Sequence, residues 1–229
     1  MTDVLVKLAS SGKRVHAVTE GLAEDSGYVL SGADEHHDPH VWMDPRAWQR
    51  ATEVVFLRLS EFDPAGRSVY ENNKNKYIQS LEDLDLYAKQ VLSSIPKESR
   101  VLVSAHDAFN YFGRAYNFEV LGIQGISTES EAGVRDIENL VRKLVDHKIR
   151  AVFIETTVSD RSIKALIEGA KAQGHQVSLG GSLYSDAMGN PNSYEGTYLG
   201  MIDHNVTIIS RALGGNAPAK GRLGRLEIE

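Results

Sequence analysis

The chain contains no cysteine. Disulfides and thiolate metal sites are therefore excluded. No apolar run approaches the ~18–20 residues that a membrane-spanning helix needs. The opening residues, Met1-Thr2-Asp3-Val4-Leu5-Val6-Lys7, lack the basic start and sustained apolar core of a secretory signal. Positive charge is not in excess either. The formal net charge is −6, which gives no reason to expect nucleic acid or a membrane surface as partner. No internal repeat stands out. What remains is an ordinary globular composition: 229 residues, 41% apolar and 24% charged. That is enough to bury a core in one large domain or two small ones.

Periodicity divides the chain. Residues 2–11 carry Val4, Leu5 and Leu8 at helical spacing, and Val15–Thr19 reads as a strand. Residues 20–38 are polar and loop-like. Asp44-Pro45 then opens a helix, with Asp as N-cap and Pro at the first helical position; it ends near Asp63-Pro64. A second helix is expected from about Gly66 to Ile95. Tyr70, Tyr77, Leu81, Leu84, Ala88, Val91 and Ile95 form a stripe that would bury one face along its length. About 30 residues make a rod of roughly 45 Å. Beyond Pro96, strands are expected at Val101–Ser104, Val120–Ile123, Ala151–Glu155 and Gln176–Leu179. Helices alternate with them at about 107–116, 131–147, 160–173 and 193–213. Such alternation implies parallel βαβ units. The expected architecture is α/β: a partial N-terminal lobe over 1–64, a linking helix over 65–96 and a C-terminal lobe over 97–213. Residues 214–229 lack periodicity and read as a disordered tail.

Among the eight histidines, four have structural explanations. His147 and His175 sit near helix C-termini, where the dipole favours them. His204 lies within the last helix and His16 on the expected strand. His40 is different: it follows Pro39, precedes Trp42 by two residues and lies in the loop before a helix. His106 sits where a strand hands over to a helix, and in open α/β sheets ligands bind at that end. Asp186 lies in the Gly-containing loop after the last strand. Two imidazoles and a carboxylate at such positions suit a first-row metal ion. Spacing alone leaves open whether the three ever meet.

Five segments carry a family resemblance: Asp38-Pro39-His40-Val41-Trp42-Met43-Asp44-Pro45, Val103-Ser104-Ala105-His106-Asp107-Ala108-Phe109, Gly125-Ile126-Ser127-Thr128, Phe153-Ile154-Glu155-Thr156-Thr157, and Leu183-Tyr184-Ser185-Asp186-Ala187-Met188-Gly189 with Glu195-Gly196-Thr197-Tyr198. In this order the chain resembles the zinc/manganese solute-binding proteins of bacterial ABC importers. The resemblance implies two α/β lobes joined by one rigid helix, with a metal ion between them. It makes His40 the N-lobe ligand and His106 and Asp186 the C-lobe ligands. It also implies Zn2+ or Mn2+ as cargo, with Fe2+ compatible, and an ABC permease as membrane partner. No bond chemistry is implied. The location would be periplasmic or otherwise extracytoplasmic, with lipid anchoring an option in the family.

Glu155, at a strand end, is a candidate to support a ligand from behind, or else a structural ion pair. Asp34-Glu35-His36-His37 falls where zinc-binding relatives often carry a His-rich loop, and reads as a weak auxiliary site or solvated loop. The family's upstream Asp-Pro-His motif and first strand–helix units have no counterpart here. The N-lobe is therefore expected to be incomplete, with exposed apolar surface. A monomer is the family expectation, and a compensating oligomer is the alternative. Two other readings stay open: a metal-dependent hydrolase using the same three residues, and a metal-free remnant acting only as a binding surface.

Overall fold

The computed structural model describes residues 2–23, 28–31, 37–126 and 133–227. Helix α1 (Thr2–Ser10) is followed by a short α2 (Glu20–Ala23), α3 (Pro45–Phe62) and α4 (Arg67–Ser93). Asp44 caps α3 as the sequence suggests, its side chain accepting from the Arg46 N–H. Helix α4 is unbroken over 27 residues, about 40 Å at ~1.5 Å per residue. The apolar stripe does not bury the whole of it. Leu81, Leu84, Ala88, Val91 and Leu92 are buried, whereas Tyr70 and Tyr77, nearer its start, are only half-buried.

The second half alternates strictly: β1 (Val101–His106), α5 (Asn110–Tyr116), β2 (Glu119–Gln124), α6 (Val134–Asp146), β3 (Ala151–Glu155), α7 (Arg161–Ala172), β4 (Ser178–Leu183) and α8 (Tyr198–Ala212). Strand β1 pairs in parallel with β2, Val103 opposite Leu121, and β3 pairs in parallel with β4, Ala151 opposite Ser178. The two pairs abut through β1 and β3. Every residue of β1 is buried, as expected of a strand covered on both faces. Leu102 and Phe153 pack with α4, α5 and α8; Val101, Val103 and Val152 pack with α6 and α7. This period-2 division is the pleat read through burial. Helix α5 stops at Asn117, whose left-handed backbone (φ 61°) turns the chain into β2.

Three expectations are corrected. Residues 15–19 form no strand; β-branched residues there have no neighbouring strand to pair with among the described residues. The last strand lies later than expected, Ser178–Leu183, because a bulge at Gly180 extends the pairing past two small residues. Residues 214–227 are ordered turns, not a disordered tail. Ala217 and Leu226 are buried, and the Arg222 N–H donates to Asp203. Charge and glycine masked these anchors in the sequence. Val4, Leu5, Val6 and Leu8 of α1 and Val55, Leu59 and Phe62 of α3 are exposed.

Candidate metal centre

The carboxyl ends of β1, β3 and β4 point to one place. His106 is the last residue of β1 and Glu155 the last of β3, and Asp186 follows β4 by three residues. His40 arrives from the loop that leads into α3. The structure brings His40, His106 and Asp186 together, with one candidate ligand atom from each within 4.8 Å of the others. The two imidazoles meet edge to face with centroids 5.4 Å apart. Asp186 faces both, one carboxylate oxygen 3.4 Å from His40 Nε2 and the other 3.4 Å from His106 Nε2. Both histidines are buried, while the Asp186 side chain is 39% exposed. Asp186 therefore stands at the mouth.

Each imidazole is held from behind by a buried carboxylate. His40 Nδ1 lies 2.7 Å from Asp38 Oδ1, which also accepts from the His40 backbone N–H at 2.9 Å. An ionised carboxylate only accepts, so Nδ1 carries the proton and the Nε2 lone pair is left free towards the site. Asp38 is itself fixed: Asn110 Nδ2 donates to Oδ2 at 3.1 Å, and the Tyr111 hydroxyl donates to its carbonyl at 3.0 Å. On the other side the His106 N–H donates to Glu155 Oε1 at 2.9 Å. His106 Nδ1 approaches Glu155 Oε2 at 2.7 Å, an ion-pair contact too far off line for a hydrogen bond. His106 Nε2 is buried without a hydrogen-bond partner among the described residues. A buried imidazole nitrogen without a hydrogen bond, facing Asp186 Oδ2 at 3.4 Å, makes a donor set that suits a cation.

Electrostatics agree with the geometry. Burial opposes protonation of both histidines, but the carboxylates outweigh it. Asp186 and Glu155 raise His106 to about 9, and Asp186 and Asp38 raise His40. His106 and His40 in turn hold Asp186 well below the usual carboxylate range. The carboxylates thus make the pocket favour positive charge, and a cation bound there would have to displace the histidine protons.

The loops are also tied to each other. Trp42 Nε1 donates to the Ser185 carbonyl at 2.9 Å, joining the His40 loop to the Asp186 loop. The Tyr198 hydroxyl donates to the Trp42 carbonyl at 2.8 Å. Asn205 on α8 fixes the end of β4, accepting from the Tyr184 N–H and donating to the Tyr184 carbonyl at 2.9 and 2.7 Å. The sequence pointed to Glu155 but not to Asp38, Trp42 or Asn205 in these roles. An Asp two residues before a candidate ligand was the one available signal. His147 caps the end of α6, His175 Nε2 contacts the Ile149 carbonyl and His204 Nε2 the Ser182 carbonyl. None of the three joins the site. Ser127, Thr128 and Asp34–His36 lie outside the described residues.

Parallel strands that deliver an imidazole, a supporting carboxylate and a loop aspartate to one buried point define an α/β protein built around a candidate cation site. The chain matches the family described as the periplasmic zinc-uptake complex component A over residues 1–212. It is 43% identical over 213 residues to the manganese-binding lipoprotein MntA of Bacillus subtilis, covering 93% of this chain and 69% of that one. It is 41% identical to the zinc-binding protein TroA of Treponema pallidum, covering 93% of this chain and 68% of that one. The solved structure of the T. pallidum protein superimposes with a TM-score of 0.88, covering 93% of this chain and 76% of the other. The chain belongs to this family of zinc- and manganese-type substrate-binding components of ABC importers.

Proposed function

We propose that the protein is an extracytoplasmic receptor that captures Zn2+ or Mn2+ at His40, His106 and Asp186 and hands it to an ABC permease. The observation that supports this most is the convergence of two Nε2 atoms and one carboxylate, with both Nδ1 atoms backed by buried Asp38 and Glu155. On this reading residues 1–64 and 97–213 act as the two sides of the site and 65–96 as their rigid link. Neutral imidazole and carboxylate donors serve zinc and manganese alike, so geometry and supply decide between them. Water or the second Asp186 oxygen would complete the coordination at the exposed mouth. The chemistry ends with coordination; the ion is cargo, and no bond in a substrate is made or broken.

Crystals grown with zinc or with manganese, measured on both sides of each absorption edge, test the reading. An anomalous peak about 2.0–2.3 Å from both Nε2 atoms and an Asp186 oxygen is expected. A peak elsewhere, or none after equilibration with either ion, would overturn it.

A further inference from the structure

Among the described residues, the segment after α8 makes no hydrogen bond or ion pair to the three candidate ligands, yet it grips the loop that carries one of them. That loop runs from Tyr184 to Thr197. Asn205 fixes its root. Its neck closes where the Gly189 N–H donates to the Glu195 carbonyl at 2.9 Å. The approach is close: a Cβ on Gly189 would lie 2.7 Å from Glu195 Cβ. The arm from Ser185 to Gly189, with Asp186 on it, therefore leans on Glu195.

Glu195 is held in turn by the segment after α8. Its side chain is buried, and Oε1 accepts from the Glu227 backbone N–H at 2.8 Å. Beside it the Arg225 guanidinium lies 4.6 Å from the centre of the Tyr194 ring. The Tyr194 hydroxyl donates to Asp203 Oδ2 at 3.1 Å. Asp203 is fully buried, and the Arg222 N–H is shared by its two oxygens at 2.9 and 3.1 Å. Gly221 makes the necessary turn at φ +72°, where a Cβ would come 2.7 Å from Asp203 Oδ1. Leu226 is buried. Two buried carboxylates thus depend on backbone donors from residues 222 and 227, and both flank the neck of the Asp186 loop.

We propose that residues 221–227 are a strap that sets the position of Asp186 for metal capture. The inference rests on the metal-site reading above. Among the described residues no buried carboxylate holds Asp186 from behind as Asp38 and Glu155 hold the two histidines, so its loop must position it. With the strap released, Glu195 and Asp203 lose charge-assisted donors and the neck loosens. Asp186 then meets the ion less well ordered, and the ion leaves faster.

The test is zinc affinity by competition with a chromophoric chelator, in the full chain. Glu227→Pro removes the N–H that Glu195 accepts; Glu227→Ala keeps it. A chain ending at Gly215 removes the strap entirely. Each change is made alone and together with Asp186→Ala. The strap predicts that Glu227→Pro and the shortened chain bind zinc about tenfold or more weakly, that Glu227→Ala matches the parent, and that neither weakening persists in the Asp186→Ala background. Undiminished affinity in Glu227→Pro overturns the strap. So does equal weakening in both backgrounds, since that marks general support of the fold. Unchanged affinity in Asp186→Ala alone overturns the metal-site reading itself. Should the shortened chain fail to fold, Glu227→Pro against Glu227→Ala decides the matter.

Discussion

At the scale of single residues, the site depends on which nitrogen of each histidine is free. His106→Ala removes a buried candidate ligand and, on the proposed reading, should lower zinc affinity by several orders of magnitude. His175→Ala, which removes only a contact to the Ile149 carbonyl, should leave it unchanged. Titration calorimetry on the two variants checks the contrast, and equal losses would contradict the assignment. Asp38→Asn keeps the shape but offers a neutral acceptor to His40 Nδ1. A loss of about 10–100-fold in affinity is expected, the usual cost of disturbing a ligand's supporting partner. The pH dependence follows from the raised histidines. Metal must displace their protons, so affinity should climb as pH rises, by about tenfold per unit for each proton released, and level off above about 9, where His106 is neutral without metal. The metal-free protein runs the other way. A folded-state pKa above the ordinary value near 6.5 stabilises the fold fully below that value, and this contribution is lost as pH rises through about 9. Melting of the metal-free protein from pH 6 to 9.5 reads the second trend, and competition titrations across the same range read the first. The three candidate ligands were legible because each sits in a short motif at a strand or helix boundary. Asp38 was printed in one of those motifs, but its role depends on Asn110 and Tyr111, more than 70 positions away, and no local pattern reveals such a partner.

At the scale of elements, apolar runs and helical stripes located α3, α4 and the alternating second half, since burial on both faces leaves a run such as Val101-Leu102-Val103 little other use. The reading failed where tertiary partners decide. Val15–Thr19 has the composition of a strand but no strand to join among the described residues, and composition cannot show that. Residues 214–227 have the composition of a tail but are anchored by buried carboxylates of α8 and the loop before it. The end of β4 lay beyond the expected strand because Gly180 and Gly181 hide a pairing segment. Asn205 fixes the root of the Asp186 loop at that strand end by bonding both backbone groups of Tyr184. Asn205→Ala leaves that N–H and carbonyl without their partners, at a cost of about 1–3 kcal/mol. Urea denaturation should show the loss as a lower midpoint with an unchanged slope, and stopped-flow mixing with a chelator should show faster zinc release. A normal release rate would mean that the Trp42 bond to Ser185 suffices to hold the loop. Helix α1 is the opposite case. Its apolar residues are exposed, and a nine-residue helix without packing is marginal in water. Its amides should exchange with deuterium far faster than those of α4 or α8; comparable protection would show that α1 is covered in solution.

At the scale of the whole molecule, the question is how far the two sides of the site move when an ion enters. Helix α4 runs unbroken from the α3 side to the core of the α/β half, with Leu84, Ala88, Val91 and Leu92 in the same apolar cluster as Phe112, Met201 and Val206. Bending it would open that packing, and close-packed interiors resist such change. Bonds across the site already join the two sides: Trp42 to Ser185, Tyr198 to Trp42, Tyr111 to Asp38, and Asn110 to Asp38. Asp186 oxygens stand 3.4 Å from the two Nε2 atoms, the separation of ligand atoms that each lie about 2.1 Å from one tetrahedral ion, so on the proposed reading an ion fits with little side-chain adjustment. Metal binding should therefore leave the backbone nearly still, with a change in radius of gyration on the order of an ångström or less. Small-angle scattering before and after saturation with zinc measures it directly. A contraction of several ångströms would mean that α4 is a hinge and that these cross-site bonds form only on closure.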